Sequence, residues 1–156
     1  MNNSFIKKIV CAEEAFEVSK DLSEVFEDQN KKYGHALNLK HDINLITKSI
    51  AHDSILTWNM HVWAHFNGKK WDAVFIGLIR KSEKFNQKIM EEYLWISQRS
   101  NSGLKLYNTA LNFAKENGCH HIVMSLTSAH PVANKLRRFY FSQGFELDSE
   151  VFYKKL

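Results

Sequence analysis

The chain has 156 residues, 44% of them hydrophobic, and a formal net charge of +4. That length suits one domain with its own core, and the composition excludes a disordered chain, a membrane-spanning segment and a secretory leader, so a cytoplasmic protein is expected. The mild positive excess helps attract an anionic ligand but falls short of the dense basic patches of a nucleic-acid binder.

Ser4–Val10, "SFIKKIV", reads as a short strand. From Ala12 to about Asn30, Ala15, Val18, Leu22, Val25 and Phe26 recur at helical spacing. A loop, "NKKYGHALNLKH", leads to a second helix over Asp42–His52, with Ile43, Ile46 and Ile50 on one face. From Leu56 to Phe66 every second residue is apolar, and Thr57, Asn59, His61, Trp63 and His65 fill the alternate positions. That alternation predicts a half-buried antiparallel strand with a polar outer face. Asn67-Gly68 supplies a turn, and "WDAVFIGLIR" returns as the hairpin partner, apolar on both faces and therefore central. "KSEKFNQK" turns again, and "IMEEYLWIS" forms the next strand.

The stretch "QRSNSGLKL" then opens a helix with Leu106, Tyr107, Ala110, Leu111 and Ala114 on its buried face and Gly118 at its stop. "HHIVMSL" is a strand; Pro131 starts a last helix with Val132, Leu136, Phe139, Tyr140 and Gln143 on one side; Gly144 ends it, and "FELDSEVFYKKL" closes the chain as a strand. The order is β-α-α-β-β-β-α-β-α-β. A late strand–helix–strand unit demands a parallel pair, while the rest is a meander. The expected fold class is α+β: a mixed, mostly antiparallel central sheet with helices on both faces, in a single domain spanning residues 1–156.

The turn from Gln98 to Gly103 presents main-chain N–H groups at a helix start, a ready site for an anion. Gln98 and Gly103 fit the first and last positions of Q/R-x-x-G-x-G/A, with Asn101 at the usual first glycine. Asparagine is among the few residues that visit the left-handed region readily, so Asn101 is expected to supply that conformation. The later "KLRRFYFSQGF" fits Y-x-x-x-G-F through Tyr140, Gly144 and Phe145. With the element order, these two motifs make the chain resemble the GNAT superfamily of acyl-CoA-dependent N-acyltransferases over nearly its whole length.

The resemblance implies an N-acetyltransferase that moves an acetyl group from acetyl-CoA directly to a primary amine of a small molecule or protein. Leu94, Trp95, Ile96 and Ser97 would pair with the pantetheine arm. Gln98, Arg99, Ser100, Asn101, Ser102, Gly103, Leu104 and Lys105 would hold the pyrophosphate, and Asn134 the pantetheine or a water. Tyr140 stands where a general acid meets the departing thiolate. Glu92 is the candidate base; Glu91 points to the opposite face, and His61 and His65 are rivals. The alternative is a catalytically weak or inactive CoA-binding or protein-interaction module. The expected partners are acyl-CoA and an amine acceptor, with no membrane and no nucleic acid; a homodimer is allowed.

No metal is expected. His61 and His65 lie four apart on one strand face, too far apart for one ion, and the glutamate of a zinc-protease motif is missing. Cys11 and Cys119 are too few for a disulfide framework and read as small buried side chains.

Overall fold

The computed structural model describes residues 3–33, 59–84, 86–126 and 132–148. They form β1 (Phe5–Ile9), α1 (Ala12–Tyr33), β2 (Met60–Phe66), β3 (Trp71–Ser82), β4 (Gln87–Ser97), α2 (Ser100–Glu116), β5 (His121–Val123) and α3 (Ala133–Ser142). The expected helix over Asp42–His52 and the Leu56–Trp58 start of the second strand lie outside the described residues, as does most of the closing strand. Its first residues, Phe145–Asp148, are described and carry no strand structure.

One sheet runs in the order β1-β2-β3-β4-β5. The first three pairings are antiparallel, and β4 pairs with β5 in parallel through α2. A parallel partner needs such a crossover, whereas a hairpin turn suffices between β2 and β3. Helices cover both faces, and the sequence shows why. Ala15, Val18, Leu22 and Val25 of α1 meet Val62, Ala64, Val74, Ile76 and Ile96 on one face. Leu106, Ala110 and Ala114 of α2 meet Trp63, Ala73, Phe75, Ile79 and Met90 on the other. β3 feeds both cores, which is why it is apolar at consecutive positions.

The second strand differs from its expected half-buried form. Its alternate face is covered by α2 and not by water: Trp63 and His65 are both buried. Polar residues there signal buried partners, not solvent. Gly118 and Gly144 both take positive φ where α2 and α3 end, the conformation that lets a following residue turn back on the last carbonyls.

Among the described residues two bulges interrupt the sheet. One lies between His65 and Phe66 in the β2–β3 pairing. The other lies where Ile76 pairs with Leu94 but Gly77 pairs with Glu92, which leaves Tyr93 as an extra residue in β4. Met90 therefore packs under α2 while Leu94, four residues on, packs with the α1 core. In an unbroken strand those two would share a face.

The apolar stripe of α2 predicts unequal costs for its leucines. Leu106 is fully buried and Leu104 is 42% exposed. In urea denaturation Leu106→Ala is expected to cost about 2–5 kcal/mol, and Leu104→Ala no more than about 0.5 kcal/mol.

Candidate functional site

The ladder between β4 and β5 stops at Glu91↔Val123. Beyond it the two strands part. Glu92 lies at the fork, and its Oε2 accepts the main-chain N–H of Ser125 at 2.8 Å. A side chain thus takes the place of the next main-chain rung. Glu91 is engaged elsewhere, with Arg80 Nε at 2.6 Å from its Oε2. Burial lifts the Glu92 carboxyl from the ordinary carboxylate range to about 7, against the opposing pull of the Ser125 N–H.

Tyr140 of α3 is buried beside this fork. Burial raises its phenol above the ordinary value, and Glu92 and Tyr107 add to the rise. Its ring lies 5.8 Å from that of Phe139 and 5.3 Å from that of Phe145. Glu92 and Tyr140, predicted separately from strand and helix, therefore share one electrostatic environment. The rest of the cluster is aromatic: Tyr107 meets Phe139 at 5.4 Å and stacks on Trp95 at 5.9 Å.

The residues expected along the pantetheine arm divide between the two cores. Leu94 and Ile96 pack towards α1, Trp95 towards α2, and the Ser97 hydroxyl donates to the Arg99 carbonyl. What β4 offers a ligand on the β5 side beyond Glu91 is its main-chain edge. Asn134 is exposed at the start of α3, where its carbonyl accepts from Arg138.

The turn is shorter than expected. α2 begins at Ser100, with Arg99 as its N-cap and no side-chain cap. Neither a serine cap nor a left-handed residue is present: Asn101 lies within the first helical turn, and Asn86 is the non-glycine residue with positive φ among the described residues. Ser102 is buried and donates to Asp72 Oδ2 at 3.1 Å. Gly103 is helical, and its role is close packing. A Cβ there would lie 3.1 Å from Ser97 Cβ and 3.5 Å from Trp95 Nε1. Arg99, Ser100, Asn101, Leu104 and Lys105 are exposed, as is Gln98, whose N–H bonds the Asp72 carbonyl at 2.9 Å. An open cavity of about 410 Å³ lies against this turn, and Arg99, Asn101 and Lys105 line it.

The two histidines of β2 have separate surroundings. His61 sits against the Phe113 ring at 4.7 Å, and burial, then Lys8 and Lys88, hold its imidazole down to about 4. His65 is buried between Asp72, 2.6 Å from its Nδ1, and Ser4, 2.9 Å from its Nε2. Among the described residues no group of three or more potential ligands could hold a metal ion. No described helix is long and apolar enough to cross a membrane.

No family model and no curated protein matches this sequence. Solved structures match its fold over nearly the full length. An aminoglycoside acetyltransferase from an uncultured soil metagenomic sample, in complex with sisomicin, is 16% identical, with a TM-score of 0.66 over 99% of this chain and 97% of that one. A ribosomal-protein-alanine N-acetyltransferase from Brucella melitensis biovar Abortus is 11% identical, with a TM-score of 0.68 over 99% of both chains. An integron cassette protein from the mobile metagenome of V. cholerae is 19% identical, with a TM-score of 0.67 over 98% of this chain and 91% of that one. The chain has the fold of the GNAT acetyltransferases.

Burial of Glu92 sets a stability signature. The folded carboxyl holds its proton up to about pH 7, while the unfolded one loses it near the ordinary value of 4.5. Stability therefore falls as pH rises through that window, because the folded chain binds the extra proton. Glu92→Gln cannot ionise, so its melting temperature relative to the parent is expected to be higher at about pH 8 than at about pH 5. An equal difference in thermal melts at both pH values would show that the carboxyl is not held protonated.

Proposed function

We propose that this chain is an N-acetyltransferase that moves an acetyl group from acetyl-CoA to a primary amine of a small molecule or protein, acting in the cytoplasm. The observation that supports it most is the meeting of Glu92 and Tyr140 where β4 parts from β5. Direct transfer needs an acceptor for the amine proton, donors for the oxyanion and a proton for the departing thiolate. Glu92, poised near neutrality, suits the first task, directly or through a water. The main-chain N–H groups of β4 beyond Glu91 suit the second, and the same edge can take an extended amide-bearing arm as an added strand would. Tyr140 suits the third, since its raised pKa keeps the phenol protonated at neutral pH. The first turn of α2, without a side-chain cap and flanked by Arg99 and Lys105, offers N–H groups to the pyrophosphate.

A CoA-binding module without turnover is the second reading. It is favoured by that same turn, where Ser102 is committed to Asp72 and no residue is left-handed.

Two measurements separate them: calorimetry with acetyl-CoA, and thiol release in the presence of a panel of amines and peptides. For the enzyme, Tyr140→Phe is expected to lower turnover about 100-fold or more, with acetyl-CoA affinity and melting temperature unchanged. The parental rate should rise with pH through about 7, and Glu92→Gln should lose that limb. Acetyl-CoA binding with no thiol release from any amine leaves the module; no binding at all sinks both readings.

A further inference from the structure

A second polar cluster lies on β1, β2 and β3, and it shares no residue with Glu92 or Tyr140. His65 Nδ1 meets Asp72 Oδ1 at 2.6 Å, and His65 Nε2 meets Ser4 Oγ at 2.9 Å. Asp72 is fully buried and His65 is 4% exposed. Asp72 also accepts the Ser102 hydroxyl, so both of its oxygens are fixed. In the neutral tautomer whose Nδ1–H donates to Asp72, the ring presents a bare Nε2, to which Ser4 donates its hydroxyl proton. This is the connectivity of a nucleophile, a base and a residue that orients the base.

The surroundings fit the same chemistry. Ser4 is exposed, and Ser4, His65 and Asp72 line the cavity of about 410 Å³ together with Asn67, Arg99, Ser100, Asn101, Ser102 and Lys105. The first turn of α2, with no side-chain cap, is therefore in the same cavity as the hydroxyl, where its N–H groups can face a developing oxyanion. The β2–β3 bulge leaves Asp72 as the extra residue, since His65 pairs with Ala73 and Phe66 with Trp71. Arg99 and Lys105 add positive charge at the mouth.

We propose that Ser4, His65 and Asp72 form a nucleophilic triad that cleaves a carboxylic ester bearing an anionic group. Ser4 Oγ attacks the acyl carbon, and its proton passes to His65 Nε2. The bond from acyl carbon to alkoxide oxygen breaks, and His65 returns the proton to the departing alcohol. Water, deprotonated by the same nitrogen, then releases the carboxylic acid and restores Ser4. This proposal does not rest on acetyl transfer, and its test needs no coenzyme.

The test is covalent labelling with a fluorophosphonate, in which a serine–phosphorus bond forms as fluoride leaves, followed by peptide mass mapping. The expected result is one adduct, on Ser4. Hydrolysis of para-nitrophenyl acetate should fall about 100-fold or more in Ser4→Ala, which replaces an exposed residue and leaves the core intact. The parent should hydrolyse the anionic mono-para-nitrophenyl succinate with higher kcat/KM than the acetate, and Arg99→Gln should remove that preference. His65→Gln should abolish labelling; should it fail to fold, labelling of the parent decides alone. No adduct on Ser4 in the folded parent, or parental hydrolysis by Ser4→Ala, would reduce the cluster to a structural hydrogen-bond chain.

Discussion

The extra residue at Tyr93 governs this sheet. A strand between two helical layers must present apolar side chains to both, and β4 does so in two halves of opposite phase. Ile89 and Met90 precede the bulge; Leu94, Trp95 and Ile96 follow it with faces exchanged. The bulge also bends the strand, and the ladder with β5 ends at Glu91, just before it. Glu92 stands between these two events, held by Ser125 in place of a main-chain rung. Burial at this place raises its pKa, and its charge in turn adds to the rise at Tyr140.

A second constraint lies at the far end of the sheet. A buried aspartate is expensive unless its oxygens are bonded, and Asp72 has no solvent exposure. His65 and Ser102 meet both oxygens, which ties β2, β3 and the first turn of α2 together. The Asp72 carbonyl also receives the Gln98 N–H, so the exit from β4 is pinned to the same residue. Such a network fixes position more than it adds stability, because its hydrogen bonds replace ones that water would have made.

Much of this was legible in the sequence. Helical spacing gave α1, the two-sided apolar run of β3 marked it as central, and Gly118 and Gly144 end their helices as read. The element positions of Glu92, on β4, and Tyr140, on α3, were also legible. What failed has separate causes. Trp63 and His65 looked like part of a wet face because alternation reports polarity, not exposure, and cannot distinguish an imidazole facing water from one facing a buried aspartate. A left-handed Asn101 was inferred from a turn motif, but the helix starts early enough to absorb it. The His65–Asp72 pair carried one usable signal, a lone Asp in the otherwise apolar stretch Trp71–Ile79, across a short hairpin from a histidine. Neither bulge had a local signature, since each depends on the partner strand.

Helix α2 joins the two regions mechanically. At its start Ser102 is anchored on Asp72, and Gly103 lies so near Ser97 that an added Cβ, 3.1 Å from the Ser97 Cβ, would require its neighbours to shift by a few tenths of an ångström. One turn on, Tyr107 is buried, stacked on Trp95 and in ring contact with Phe139, the neighbour of Tyr140. A helix is stiff over so short a span, and close-packed interiors transmit displacement instead of absorbing it. The glycine at the turn lets α2 sit close on β4, and the ring contacts that run from Trp95 through Tyr107 and Phe139 to Tyr140 start from that close approach.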